Sequence, residues 1–414
     1  MTEPATLFPR FLRGAVEAAL EDTRVVVIQG ARQVGKSTLA RQVLEGRAGA
    51  RSVTLDDPEV LAAARADPAT FVRHDGPLGI DEIQRAPELL LPLKARVDRD
   101  PRPGRFLLTG SAQLLTLPRL SDALAGRLEI LELWPLSQGE VGSRREGFVD
   151  RLLAGRAQQA SGEPVDRDEV LRRACAGGFP EARRRRGARR AAWFDSYLKT
   201  FVSRDVRDLQ DIEHTRRLRG LLALLAARVG SPLNVDDLAR DARLPPSTTR
   251  RYLDLLEAAY LWTRVPAWST NRSQRVASAP KGHLVDSALC AHLLGVEGDP
   301  PSSLGVEAGP VLETFAVGEI RKQLGWSRVR AGLHHLRTHD GQEVDVVLEA
   351  ASGAVAGVEV KASRTVGERD FAGLRWLRAR AGEDFTQGVV LYTGEQTLPF
   401  GPGLWALPFS SLWA

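Results

Sequence analysis

Residues 24–38 read RVVVIQGARQVGKST, and this stretch decides the class of the first domain. The run at 24–30 is short, apolar and β-branched, as a parallel strand buried on both faces requires. Gly30 and Gly35 bracket four residues, and Lys36, Ser37 and Thr38 follow. Two glycines at that spacing let the backbone curl so that its N–H groups face the β-phosphate of a nucleotide. A helix starting near Lys36 adds its positive dipole end. Lys36 then reaches the β- and γ-phosphates, and the Ser37 hydroxyl ligates magnesium. The plainer alternative is a glycine turn ahead of an ordinary helix. A strand before, a helix after and a lysine at the required place weigh against it.

Further apolar runs at 52–57 (SVTLDD), 77–82 (PLGIDE), 105–111 (RFLLTGS) and 128–133 (LEILEL) complete a sheet. A helical segment at 87–100 lies between two of them, so the order is βαβα. The run at 77–82 ends in Asp81–Glu82, where a phosphate loop needs its acidic partner. Asp81 would hold magnesium through water, and Glu82 would polarise an attacking water. Acidic caps on a helix N-terminus are the competing explanation. Asp56 and Asp57 lie in a turn ahead of Pro58, which an Asx turn also explains.

VIQGARQVGKST, LGIDEIQRAPEL, RFLLTGSAQLL and LAGRLEILELWPLS together resemble a prokaryotic AAA+-type ATPase family. Its members also carry a helical region with a GGFPE-like turn and a C-terminal nuclease-like domain. The resemblance implies ATP as ligand with Mg2+. It further implies Ser111 at a strand tip as γ-phosphate sensor, and Arg127 as a phosphate-sensing residue or arginine finger. A surface arginine explains Arg127 equally well. Arg204, in a helix with a central Arg–Asp pair, matches a lid arginine.

The middle of the chain turns helical. The run EARRRRGARR (181–190) is the strongest local basic cluster, and a solvated arginine-rich face explains it more simply than phosphate contact. Residues 215–262 have the grammar of a helix-turn-helix. A helix closes at Gly230, a short second helix ends before Pro245–Pro246, and Ser247 is the expected cap of a third. Thr248, Thr249, Arg250 and Arg251 would face outward from that third helix, the chemistry that phosphates and base edges accept. The stretch after Trp262 would be a wing. A lid or protein-contact module is the alternative to DNA contact.

The last hundred residues predict an α-βββ-αβ series. Glu313 lies on the helix, Asp345 on the middle strand, and Glu359 and Lys361 on the third. Side chains two apart on a strand share a face, so Glu359 and Lys361 point together. Converging carboxylates make a magnesium site, and a lysine beside them orients water or offsets phosphoryl charge. The order and residues resemble the PD-(D/E)XK nuclease superfamily, with Glu313, Asp345 and Glu359 as metal ligands and Lys361 as catalytic residue. A nuclease fold that no longer cuts, or a charged surface hairpin, remains open. Lys281, in PKGHLVD, matches a family segment without an evident chemical role. For His334, His335 and His339, solvated loop and strand positions explain the pattern better than metal ligation does.

Composition sets the bounds. The chain has 414 residues, 57 basic against 52 acidic side chains, and a formal net charge of +5. Only six of the basic residues are lysines: Lys36, Lys94, Lys199, Lys281, Lys322 and Lys361. That skew looks like codon bias, so the charge permits a polyanionic partner without indicating one. Two cysteines cannot make a disulfide framework or a multi-cysteine zinc site. No apolar run reaches the length of a membrane span, the start lacks a signal-peptide core, and the chain reads as soluble and cytoplasmic.

The expectation is a multidomain α/β protein: a P-loop AAA+-type domain at 1–135, a helical lid at 136–213, a winged-helix region at 214–300 and a nuclease-like domain at 301–414. Its activity would be Mg2+-dependent ATP hydrolysis controlling a module that acts on DNA, with a homo-oligomer if Arg127 acts in trans. The rival expectations are a nucleotide-dependent protein-interaction switch with an inert C-terminal domain, and a DNA-binding regulator without catalysis.

Overall fold

The computed structural model describes residues 7–110, 124–160, 162–205, 212–271, 273, 275, 278–296, 305 and 307–414. The chain gathers into two compact units: Met1–Pro135 with Ala258–Tyr260, and Leu136–Glu257 with Leu261–Ala414.

The first unit is built on β1 (Val25–Gln29), β2 (Arg51–Thr54), β3 (Leu78–Asp81), β4 (Phe106–Gly110) and β5 (Leu128–Glu132). All pairings are parallel and the order is β2-β3-β4-β1-β5. Every residue of β1 is buried. Val25 and Val27 join a core with Ile80, Leu93 and Leu108, while Val26 and Ile28 are buried on the opposite face. A strand with no solvent side reads as an unbroken apolar run, which is why this one was legible. β2, at the sheet edge, is mostly exposed. Because all five strands run the same way, their carboxyl ends meet at one edge, the usual place for a ligand crevice in such sheets. Asp57 accepts from the amides of Glu59 and Val60 and caps the helix Pro58–Ala66, so the turn ahead of Pro58 is a capping turn.

Tyr260 closes the β1–β5 side of that edge. Its backbone is left-handed at φ 54°, and its hydroxyl lies 2.9 Å from Glu132 Oε1 and 3.3 Å from Gln29 Oε1. The Trp134 ring meets it edge-on at 5.3 Å. Burial, and then the charge of Glu132, hold the phenol far above its ordinary range, so it stays a donor.

The second unit begins helical, with Arg167–Ala176 and Gly187–Asp205. The glycine turn between them packs on a buried carboxylate: the Gly178 amide donates to Asp286 Oδ2 at 2.6 Å. A Cβ on Gly177 would lie 2.3 Å from Asp286 Oδ1. Three helices follow, Ile212–Ala227, Val235–Ala242 and Pro246–Ala258, then an antiparallel ribbon of β6 (Trp262–Val265) and β7 (Lys281–Leu284). The third helix starts at Pro246 rather than at a Ser247 cap, because proline's fixed φ suits the first helical position. Thr249 does not face outward. It is fully buried and its hydroxyl donates to the Pro245 carbonyl at 3.2 Å.

The C-terminal sheet follows the helix Ala308–Leu324. It holds β8 (Ala331–Arg337), β9 (Glu343–Ala350), β10 (Val355–Lys361), β11 (Phe385–Tyr392), β12 (Leu398–Pro399) and β13 (Leu404–Pro408) in the order β12-β13-β11-β10-β9-β8. The expected series stops at β11. The structure adds β12 and β13, with β13 parallel to β11, on either side of the turn formers Gly401, Pro402 and Gly403. Among the described residues no helix is long and apolar enough to cross a membrane.

Candidate functional site

The loop after β1 is held by glycine geometry. Gly30 has φ 152°, and a Cβ there would stand 2.1 Å from the Leu133 carbonyl oxygen. Gly35 has φ 100° and hands the chain to the helix Lys36–Glu45. Lys36 is buried, and its ammonium donates to the carbonyls of Gly30 at 3.1 Å and Ala31 at 2.9 Å. Burial lowers its pKa, with Glu82 and Asp81 working the other way. Arg10, which the sequence reading passed over, spans the loop from outside. Its guanidinium donates to the carbonyls of Val34 and Trp134, each at 2.6 Å.

Asp81 is the hub of the carboxyl edge. Its Oδ1 accepts from the Ser37 hydroxyl at 2.6 Å and from the Thr109 hydroxyl, and its Oδ2 accepts from the Thr54 hydroxyl at 3.1 Å. The ends of β2, β3 and β4 and the first turn of the loop helix therefore converge on one carboxylate. Thr38 is half-buried on that same turn. Ser37 and Asp81 in direct contact, beside a glycine loop with a buried lysine, are a donor set that suits magnesium and a nucleotide's phosphates. Glu82 has φ 58°, an uncommon backbone for glutamate that is concentrated at functional positions. Its amide donates to Thr109 Oγ1 at 3.3 Å, and its carboxylate accepts from the Gln84 amide.

Ser111 lies outside the described residues. Thr109, near the end of β4, is hydrogen-bonded to both acidic residues. Arg127 sits just ahead of β5, where its carbonyl accepts from the Val25 amide. The phosphate loop leaves the other end of β1, so a strand length of roughly 16 Å separates the two levels of the sheet. Arg127 is paired with Asp98 instead, its Nη2 3.2 Å from Oδ2. A role for Arg127 at the phosphates of its own chain does not follow from this placement.

The basic cluster divides. Arg183 and Arg190 are largely engaged with backbone, donating to the carbonyls of Gly177 at 2.7 Å and Cys175 at 3.2 Å. Arg184, Arg186 and Arg189 are exposed. The Arg204 side chain lies outside the described residues. Arg250 and Arg251 are exposed near the start of their helix, with Asp236 3.6 Å from Arg250.

In the second unit Glu313, Asp345, Glu359 and Lys361 do come near one another, but a lysine stands among the acids. The Lys281 ammonium lies 2.6 Å from Glu343 Oε1, 2.9 Å from Asp345 Oδ1 and 3.2 Å from Glu313 Oε1, and the side chain is fully buried. Asp345 Oδ2 accepts from the Val360 amide at 2.9 Å, and Lys361 donates to Glu359 Oε1 at 2.8 Å. Burial opposes the Lys281 charge and three carboxylates outweigh it, so its pKa rises. Burial, then Asp345, push the Glu313 and Glu359 carboxyls up. No group of three or more His, Cys, Asp or Glu among the described residues is arranged to hold a metal ion. Magnesium does not fit here as the residues stand, since an ammonium fills the position between the carboxylates. His335 is buried rather than solvated, and burial pushes it down to about 4.

A family model described as AAA domain matches residues 22–142. Models described as domains of unknown function, DUF8612 and DUF4143, match residues 167–300 and 308–412. The uncharacterized protein Rv2008c of Mycobacterium tuberculosis is 32% identical over 394 residues, which is 94% of this chain and 81% of that protein. The chain belongs to the family of Rv2008c. The uncharacterized protein Mb2031c of Mycobacterium bovis, in the same family, gives the same values. Among solved structures, AMPPCP-bound DnaA from Aquifex aeolicus is 14% identical with a TM-score of 0.25, covering 59% of this chain and 85% of that one. The Thermotoga maritima RuvB Holliday junction branch migration motor is 17% identical with the same TM-score, covering 62% and 89%. Overlap that loose implies nothing about activity. For this family member, the AAA-domain match makes the first unit an AAA-type P-loop ATPase domain, and the C-terminal sheet is a separate domain.

Proposed function

We propose that the chain binds ATP with Mg2+ on the loop Gly30–Thr38, hydrolyses it, and uses nucleotide state to control a DNA-contacting module. The contact between Ser37 and Asp81, beside the buried Lys36, carries the reading. Loop N–H groups and the Lys36 ammonium bind the β- and γ-phosphates. Ser37 and Asp81 hold magnesium, which when bound offsets phosphoryl charge. Thr54 and Thr109 keep Asp81 oriented, and Glu82 polarises the attacking water. The three helices between 212 and 258 and the β6–β7 ribbon form the module, with Arg250 and Arg251 as its phosphate contacts. Ser111 and Arg204 are proposed as further nucleotide contacts. Arg127 is proposed as a finger toward a neighbouring chain, which requires a homo-oligomer.

The test is ATP turnover by the full chain, with and without single- and double-stranded DNA. Turnover should be lost in Lys36→Ala, fall at least about 100-fold in Glu82→Gln with ATP still bound, and change when DNA is added. Equal turnover in the native chain and Lys36→Ala would sink the ATPase reading. Turnover indifferent to both DNAs would sink the coupling.

A second reading is favoured by the Lys281 contacts: the same ATPase acting as a nucleotide-dependent interaction switch whose nuclease-like domain is inert. Metal-dependent nicking of DNA lost in Asp345→Ala or Lys361→Ala would argue against it.

A further inference from the structure

We propose that Lys281 is the resident cation of the C-terminal carboxylate centre, and that it closes a latent divalent-metal site. The inference rests on the reading of this domain as catalytically inert and says what makes it so.

The geometry is that of a saturated ion. An ammonium has three donors, and Lys281 places three carboxylate oxygens within 3.2 Å, from Glu343, Asp345 and Glu313. The acids come from the helix Ala308–Leu324 and from β9, whereas the lysine arrives on β7 of the ribbon. Backbone shape reserves the space for Glu313. Gly230 has φ 82°, and a Cβ there would lie 2.4 Å from Glu313 Oε2.

The centre also has donor atoms to spare. Glu359 Oε2 is buried without a hydrogen-bond partner, and so are both ring nitrogens of His283. His283 is 1% exposed and its Nε2 is 3.8 Å from Glu313 Oε1. Oxygen and imidazole ligands left unpaired around a monovalent cation suit a divalent one better. The charges agree. Four acids, Glu313, Glu343, Asp345 and Glu359, face two lysines, Lys281 and Lys361, and Arg337 lies 3.6 Å from Glu343 Oε2. Without Lys281 the four acids keep only Lys361 and Arg337 and outnumber the cations by two, and burying unpaired carboxylates is costly. A divalent ion restores the balance that the ammonium supplies.

The test is Mn2+ uptake by the nucleotide-free full chain, read from the electron paramagnetic resonance of free Mn2+. The phosphate loop is the same in every variant and cancels. Native protein and Asp345→Asn should take up equal Mn2+. Lys281→Ala and the length-conserving Lys281→Met should each gain one ion per chain, at least about tenfold tighter than any native uptake, and the double variant with Asp345→Asn should lose it. Native uptake that Asp345→Asn removes would overturn the proposal, as would folded Lys281 variants that gain nothing. If neither Lys281 variant folds, the comparison of native protein with Asp345→Asn still decides. Mn2+ uptake is read without DNA, so absent nicking and absent metal are separate results.

Discussion

Ser37 and Asp81, on different elements and 44 residues apart, are joined by a 2.6 Å hydrogen bond from Oγ to Oδ1. The bond places a neutral oxygen and an anionic one side by side at the mouth of a glycine loop. Asp81→Asn keeps the shape and removes the charge, so the expected result is intact folding with turnover reduced by about 100-fold or more. Circular dichroism and a phosphate-release assay check the two halves.

The threonines that hold Asp81 are expected to matter unequally. Thr109→Val removes the donor to Oδ1 and the acceptor of the Glu82 amide, whereas Thr54→Val removes the donor to Oδ2 and the acceptor of the Asp56 amide, and leaves Glu82 untouched. Such supporting groups typically control metal affinity by roughly 10–100-fold. The Mg2+ concentration for half-maximal turnover should rise in both variants, and further in Thr109→Val.

Arg10→Ala releases two carbonyls, that of Val34 in the phosphate loop and that of Trp134 just after β5. Nucleotide affinity measured by calorimetry should weaken by about tenfold, because both bonds are charge-assisted and the loop then orders only on binding. Unchanged affinity would mean that the loop keeps its shape unaided.

Arg127→Ala should leave nucleotide affinity within about twofold of native, since the guanidinium pairs with Asp98 at the far edge of the sheet. Any loss of turnover should be recovered by mixing with Lys36→Ala chains, which still carry Arg127. A loss of ATP affinity in the isolated variant would place the residue at its own phosphates.

Glu146 is expected to set a pH dependence of stability. It is buried, its Oε1 accepts from the Gly139 amide, and burial followed by the charge of Glu319 pushes it up to about 7 from an ordinary 4.5. Below pH 4.5 both folded and unfolded chains carry the proton and there is no cost. Between 4.5 and 7 the unfolded chain releases it first, so stability falls as pH rises and levels off above 7. Glu146→Gln keeps the acceptor and cannot ionise. It should be near native at pH 4 and more stable at pH 8, by at most about 3 kcal/mol in denaturant titrations.

The phosphate loop and the acidic strand tip were legible because their chemistry is written in adjacent residues. Gly30, Gly35 and Lys36 show their spacing directly, and Asp81 ends an apolar run. Other features depend on partners far away in the chain. Arg10 meets a carbonyl 124 residues downstream, and nothing local in FPRFLRG marks it. Lys281 was noticed in its segment, yet its role needs Glu313 and Asp345, 32 and 64 residues on. Thr249 looked outward by composition, but helix phase turned it into the core. β13 was hidden by Gly401, Pro402 and Gly403, since turn formers on its flank outweigh four apolar or small residues in a row.

Tyr260 has a practical consequence. Glu132 and Gln29 find their phenol partner well beyond Pro135, so in sequence the residues 136–257 are an insertion within the ATPase unit. A fragment ending at Pro135 would expose or strand those two polar groups and uncover one side of Trp134. Truncated forms of the ATPase should therefore carry the 258–260 segment back by a short linker, or keep the chain whole.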